Sequence, residues 1–229
     1  MKLLQLVFGL GTTGLAYAVS RIVGKRYPSP LTTPVFLSTP LVITMLLLSG
    51  MQLGDYRPTK EIIVSFLGPA TVALAVPLYK NRRTLTKNLV TTSMALVMGS
   101  LSTLVVAVAV ARVLGLPRVI CSSLSIKSVT APVAIELAPM IDADSTLTAA
   151  FVIATGMIGA MLGPPLMNNI GVHSPLARGL TLGTISHGQG TAQALSEGDV
   201  QGAAAGIATV LGAILTASVA PILVPVLLR

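Results

Sequence analysis

Lys127 is a lone basic residue in the run Ser122-Ser123-Leu124-Ser125-Ile126-Lys127-Ser128-Val129-Thr130-Ala131-Pro132. Further along, His187 stands in Gly183-Thr184-Ile185-Ser186-His187-Gly188-Gln189-Gly190-Thr191-Ala192-Gln193. An ammonium can balance an anion, and an imidazole can relay a proton near neutral pH or donate to a carboxylate. The hydroxyls of Ser128, Thr130, Ser186 and Thr191 can hydrogen-bond the same anion. Pro132 removes a backbone donor, while Gly188 and Gly190 tolerate conformations that ordinary helix residues avoid, so each run reads as half-helix, unwound linker, half-helix. Inside a bilayer such a break leaves N–H and C=O groups that need protein, water or a ligand, and transporters hold ions and substrates in this way.

Each of these residues also has a plainer reading. Lys127 either faces water, a carboxylate or a cargo anion, or it snorkels to an interface or pairs with Glu136. His187 is either a working group or a satisfied packing histidine; His173, beside Ser174-Pro175 in a loop, has the weaker case. Pro69, Thr71 and Pro77 fall in one span and form part of a cavity wall, or merely kink it. Gly9, Gly11 and Gly14, then Gly156, Gly159 and Gly163, then the Gly202 to Gly212 region, read as surfaces for close helix packing or dimerisation. Asn168 and Asn169 read as interface residues at a span end. Cys121 is the one cysteine and cannot form an internal disulfide, and no Cys/His cluster has metal-site spacing, so neither metal nor cofactor is expected. The serines near His187 lack a carboxylate partner other than Glu197, so no catalytic residues are assigned and the chain is not expected to be an enzyme.

These segments must be placed by elements suited to a bilayer. Of 229 residues, 53% are apolar and 10% charged, against about 25% charged in a soluble domain. The long runs lack the strand alternation of outer-membrane barrels, which leaves an all-α integral membrane protein, residues 1–229 as a single transmembrane domain. About eight hydrophobic segments fit, near 3–23, 31–50, 61–79, 88–112, 117–138, 146–170, 175–196 and 200–228. The fifth and seventh are discontinuous or re-entrant. The net charge of +8 then belongs to loops facing anionic lipid rather than to nucleic acid. Arg21, Lys25 and Arg26 follow the first span, and Lys80, Arg82, Arg83 and Lys87 follow the third. The loop between holds Asp55, Arg57, Lys60 and Glu61. By the positive-inside rule the N-terminus lies outside the cytoplasm, while the orientation of the second half is open. A shift of about 61 positions pairs Ser125 with Ser186, Thr130 with Thr191, Ala131 with Ala192 and Glu136 with Glu197, which fits an internal repeat. Whether its units are parallel or inverted depends on whether the broken segments cross or re-enter.

The segments Lys127-Ser128-Val129-Thr130-Ala131-Pro132, Gly183 to Ala192, and Leu67-Gly68-Pro69 leading to Val76-Pro77-Leu78-Tyr79 resemble the LrgB/CidB family of bacterial inner-membrane proteins, across essentially the full chain. That family also includes the C-terminal part of the plastidal glycolate/glycerate translocator. Ile126, Ala131 and Gln193 depart from its common Pro, Thr and Arg, and the loss of positive charge at 193 bears on anion specificity. The resemblance implies a multi-pass protein of the bacterial inner membrane and a separate LrgA-type membrane partner; a homo-oligomer is expected as well. It implies two functions. One is proton-coupled transport of small monocarboxylates such as glycolate, glycerate, lactate or pyruvate. The alternative is antiholin-like regulation of murein hydrolase export and autolysis.

For transport, the expected arrangement brings the two breaks together inside the bilayer. Lys127 and His187 line a shared hollow there; Ser128, Thr130, Ser186, Gly188, Gly190 and Thr191 complete the binding site, and Pro132, Gly188 and Gly190 make the breaks.

Overall fold

The computed structural model describes residues 2–27, 29–66, 69, 72, 75–80 and 82–229. These residues form helices and connecting turns, with no strand among them. Two compact units result, Met1–Ala73 and Leu74–Arg229.

In the first unit, α1 (Lys2–Arg26), α2 (Pro34–Leu48) and α3 (Leu53–Ser65) pack together. Gly9 lets α3 approach, since a Cβ there would overlap the fully buried Thr59 side chain, and Thr13 Oγ1 meets the Tyr56 hydroxyl at 2.7 Å. The charged stretch Asp55, Arg57, Lys60 and Glu61 is helical rather than the expected loop. Local bonds explain this: the Gln52 N–H donates to Asp55 Oδ2 at 3.1 Å, and Arg57 pairs with Glu61 one turn on at 3.4 Å. The expected third span therefore begins within a helix that is already under way. Of its residues, Pro69 is helical and exposed, while Thr71 lies outside the described residues. Pro77 is helical, in the second unit, with its side chain outside the description.

The second unit runs α4 (Ala75–Lys80), α5 (Arg82–Lys87), α6 (Leu89–Val113), α7 (Arg118–Ser125), α8 (Ala131–Leu137), a 3-10 turn (Ala138–Ile141), α9 (Ser145–Asn169), α10 (Pro175–Glu197) and α11 (Asp199–Leu227). Among the described residues four helices are long and apolar enough to cross a membrane: α1, α6, α9 and α11. α10 has the length, but its Ser, His and Gln residues lower its hydropathy.

α6 and α11 run parallel. Leu96 packs with Ala203, Ala204 and Ala208 near their starts, and Leu104 packs with Ala220 and Val224 toward their ends. There the Arg112 guanidinium also donates to the Leu227 carbonyl. α9 is antiparallel to both: Val152, near its start, joins the Leu104/Val224 cluster, and Met167, near its end, packs with Ala205. It follows that the segment joining α6 to α9 starts and finishes at one end of the bundle, and the segment joining α9 to α11 starts and finishes at the other.

Both broken segments are thus re-entrant, from opposite ends, and the same local signal launches each. α6 stops at Gly115 (φ 66°), with Leu116 N–H bonded to Ala111 C=O at 3.0 Å. α9 stops near Gly171 (φ 74°), with Val172 N–H bonded to Met167 C=O at 2.8 Å. This left-handed glycine stop turns the chain, and Pro117 or Pro175 then starts the next helix without needing a backbone donor.

Candidate functional site

The first re-entrant segment turns at Ile126–Thr130, between α7 and α8. Pro132 lies in the first turn of α8, where its missing N–H costs nothing, so it starts the returning arm rather than causing the break. The Asp144 N–H donates to Ser123 Oγ at 3.2 Å across 21 positions that a straight helix would spread over about 30 Å. At the turn, Ile126 and Val129 are buried with Val152, while Lys127, Ser128 and Thr130 are half-buried. Lys127 Nζ donates to Ser128 Oγ at 3.2 Å. The pairing with Glu136 is not formed: Glu136 is exposed, and the ion pairs among the described residues are Arg57–Glu61 and Arg178–Glu197.

The second segment turns at His187, whose φ of 41° and ψ of −126° lie where a type II′ turn ordinarily places glycine. The chain folds back so sharply that Arg178 and Glu197, 19 positions apart, pair at 2.7 Å, although a straight helix would separate them by about 28 Å. The Arg178 guanidinium also donates to Asn168 Oδ1 at 2.7 Å and to the Val172 carbonyl at 3.1 Å. At the turn the His187 Nε2–H donates to the Val152 carbonyl at 3.1 Å. Hydroxyls serve carbonyls near the break: Thr191 lies 2.9 Å from the His187 carbonyl and 2.8 Å from Thr209 Oγ1, which lies 3.3 Å from the Gly183 carbonyl. Two hydroxyl protons cannot occupy all three bonds together, so this chain has alternative settings.

Gly188 and Gly190 were expected to carry the break, but the non-helical residue is His187, with Gly188 exposed beside it. Gly190 is needed for closeness, because a Cβ there would overlap the Leu182 carbonyl. Gly156 and Gly159 of α9 make room for the turn. A Cβ at 156 would lie 2.6 Å from Gln189 Oε1 and 2.8 Å from His187 Cε1, and one at 159 would overlap Ser186 Oγ. Ser186 Oγ and Gln189 Oε1 are buried without a hydrogen-bond partner, which makes this turn polar inside. Replacing Gly159 by Val is expected to push the turn off α9 and lower Tm by roughly 5–10 °C, read by thermal unfolding in detergent. His187→Gly should unfold later than His187→Ala: both lose the imidazole bond, and only glycine relieves a backbone strain of about 1–3 kcal/mol.

Both turns reach α9 around Val152, but the hollow they share differs from expectation. A cavity of about 470 Å³ is lined by Leu124 and Lys127 of the first segment, Ile185 of the second, and α6. His187 does not line it; its ring is turned into α9 and held by the Val152 carbonyl. A second cavity of about 460 Å³ shares Ser102, Thr103 and Ile185 with the first and extends past Thr181 to Ser174 and Asn88. The structure therefore groups Ser186, His187, Gly190 and Thr191 at a strained hinge and Lys127, Ser128 and Thr130 at the other turn, with Lys127 facing open space. Gln189, Thr209 and the Arg178–Glu197 clamp were missed from sequence; opposite charges at the two ends of one span were the available signal for the clamp.

Comparison with known proteins matches residues 13–226 to the LrgB-like family. A holin-like protein CidB of Staphylococcus epidermidis is 33% identical over 225 residues, covering 98% of this chain and 96% of the relative. A holin-like protein CidB of Staphylococcus aureus is 32% identical over 216 residues, covering 94% and 93%. An uncharacterized protein, YwbG of Bacillus subtilis, is 32% identical over 217 residues, covering 95% and 96%. No solved structure matches.

Proposed function

The chain belongs to the LrgB-like family, and from that premise we propose that this membrane protein is a multi-pass, holin-like regulator in the bacterial plasma membrane. In this reading it tunes murein hydrolase export and autolysis, in the antiholin-like sense, together with an LrgA-type partner and as a homo-oligomer. The near full-length likeness to proteins named holin-like carries it. Expression with and without an LrgA-type protein in a strain lacking its own pair tests it. Murein hydrolase activity in the medium and the rate of detergent-triggered lysis should change severalfold only when both are present. Unchanged release in every combination rejects the reading. Its working surfaces would be outward helix faces, so substitutions there should outweigh any at Lys127.

A second reading is favoured by a specific observation: Lys127, with no carboxylate partner among the described residues, faces a cavity between two oppositely inserted re-entrant segments. This suits a carrier of small monocarboxylates such as glycolate, glycerate, lactate or pyruvate, coupled to protons, with the Lys127 ammonium as countercharge and Ser128 beside it. His187 acts in this reading as the hinge that places the second segment rather than as a cargo ligand. Saturable counterflow against a panel of short carboxylates in proteoliposomes is the expected result, and absence of counterflow for the whole panel rejects the carrier.

A further inference from the structure

Which charged residues share an end of the second unit is fixed by the packing of its helices, and that decides how the unit sits in a bilayer. α6 has 25 residues and spans about 37 Å, more than the hydrocarbon core needs. α5 ends just before it, beyond the core, and Lys80, Arg82, Arg83 and Lys87 are all exposed there. Because α6 and α11 are parallel and α9 is antiparallel, the same end holds both ends of α10, with the Arg178–Glu197 pair, and Asp199 at the start of α11. The opposite end carries Arg112, Arg118 and Arg229 together with Glu136, Asp142 and Asp144, as many acidic side chains as basic. Its Arg112 is engaged by the Leu227 carbonyl.

The basic corner also has the chemistry of a headgroup contact. Arg82 stacks on the exposed Tyr79 ring, its guanidinium carbon 4.0 Å from the ring centre, and donates to the Tyr79 carbonyl at 2.8 Å. Tyrosine belongs at headgroup depth, and a run of Lys and Arg beside a span end is drawn to the anionic lipids of the cytoplasmic leaflet. We infer that the second unit is inserted with the starts of α6 and α11 at that leaflet, where Lys80, Arg82, Arg83 and Lys87 bind anionic lipid headgroups. The His187 segment then enters from the cytoplasm and the Lys127 segment from the outer side. The cavity that reaches Asn88 and Ser174 lies at the cytoplasmic end, and the one that reaches Leu114 and Leu116 at the outer end. The assignment uses neither reading of function, so it stands or falls apart from both.

Single cysteines would be introduced into the full-length chain carrying Cys121→Ala, which removes its one thiol. Asp142→Cys and Thr146→Cys mark the outer end, His173→Cys and Ser174→Cys the cytoplasmic end, all at exposed positions. In spheroplasts treated with a membrane-impermeant maleimide, the first pair should react before lysis and the second pair only after it. The reverse pattern, or both pairs reacting from the same side, overturns the inference. The lipid contact has its own readout. The chain has no tryptophan, so Tyr79→Trp gives a single reporter that keeps an aromatic ring under Arg82. In proteoliposomes its fluorescence should be quenched about twofold more by brominated phosphatidylglycerol than by the same fraction of brominated phosphatidylcholine, and about 0.5 M salt should remove the difference. Lys80→Gln with Lys87→Gln should shrink that difference too. Equal quenching by the two lipids at low salt overturns the headgroup site, even where labelling follows the expected pattern.

Discussion

Lys127→Met in proteoliposomes is expected to reduce carboxylate uptake by about 10²- to 10³-fold while leaving the protein folded and inserted. The magnitude follows from charge. A carboxylate leaving water for a largely apolar cavity needs its countercharge, and removing one partner of a buried pair costs about 3–5 kcal/mol. The sparing of the fold follows from contacts: Lys127 makes one side-chain hydrogen bond, to Ser128, and no ion pair among the described residues, so the deletion strands no carboxylate there. Methionine keeps much of the length and the apolar stem of the side chain, and losing an ammonium inside a membrane bundle relieves desolvation. Initial uptake rates and Tm, measured on the same preparation, separate the two effects. Normal uptake by the variant would remove Lys127 from the path. The regulator reading makes a different forecast, since murein hydrolase release in cells should then be the same with the unaltered protein and with the Lys127→Met variant; a loss of both activities together would tie them to one passage.

Much of the bundle was legible from sequence because long apolar runs leave few options in lipid. The first, fourth, sixth and eighth expected spans correspond to α1, α6, α9 and α11, which reach membrane-crossing length and hydropathy. The breaks in the fifth and seventh segments were legible too, from polar residues and helix breakers where apolar sequence was due. Their direction was not, because re-entry is decided by where the flanking helices end, and only packing between distant residues such as Leu104 and Val224 reveals that α6 and α11 are parallel. Local signals did mark the launch points, Gly115 before Pro117 and Gly171 before Pro175, but in a chain with 21 glycines and 15 prolines they do not stand out.

The site was half legible for a similar reason. Residue type identified Lys127 and His187 as unusual, and the two do sit at the two turns. What each does there depends on a neighbour that sequence does not announce. His187 faces α9, where Gly156 leaves room for the ring and Val152 supplies an acceptor, so the imidazole is spent on holding a strained backbone. Lys127 faces α6, where Ala107 and its neighbours leave a void. Gly156 and Gly159 of α9 are packing positions, as their small size suggests, and what packs on them is the very turn expected to carry the ligand.

The clamp at the base of the second re-entrant segment yields the other large expected effect. Arg178→Gln should lower Tm by roughly 10 °C or prevent accumulation of folded protein, because Glu197 would keep a mostly buried carboxylate without its two-pronged partner. Asn168 and the Val172 carbonyl would lose their donor in the same step, freeing the end of α9 from α10. Glu197→Gln should cost less, since its amide oxygen still accepts from the guanidinium. The double variant should be more stable than the sum of the two losses implies, by about 1–3 kcal/mol, as expected for groups in direct contact. Arg178→Lys retains the charge but not the planar fork, and should recover only part of the loss. Denaturation of all five proteins completes the cycle. Additive losses would mean that Arg178 and Glu197 do not meet, and the fold-back at His187 would then rest on the close approach of Gly190 to the Leu182 carbonyl, the packing of Leu182 with Ala194 and the His187–Val152 bond.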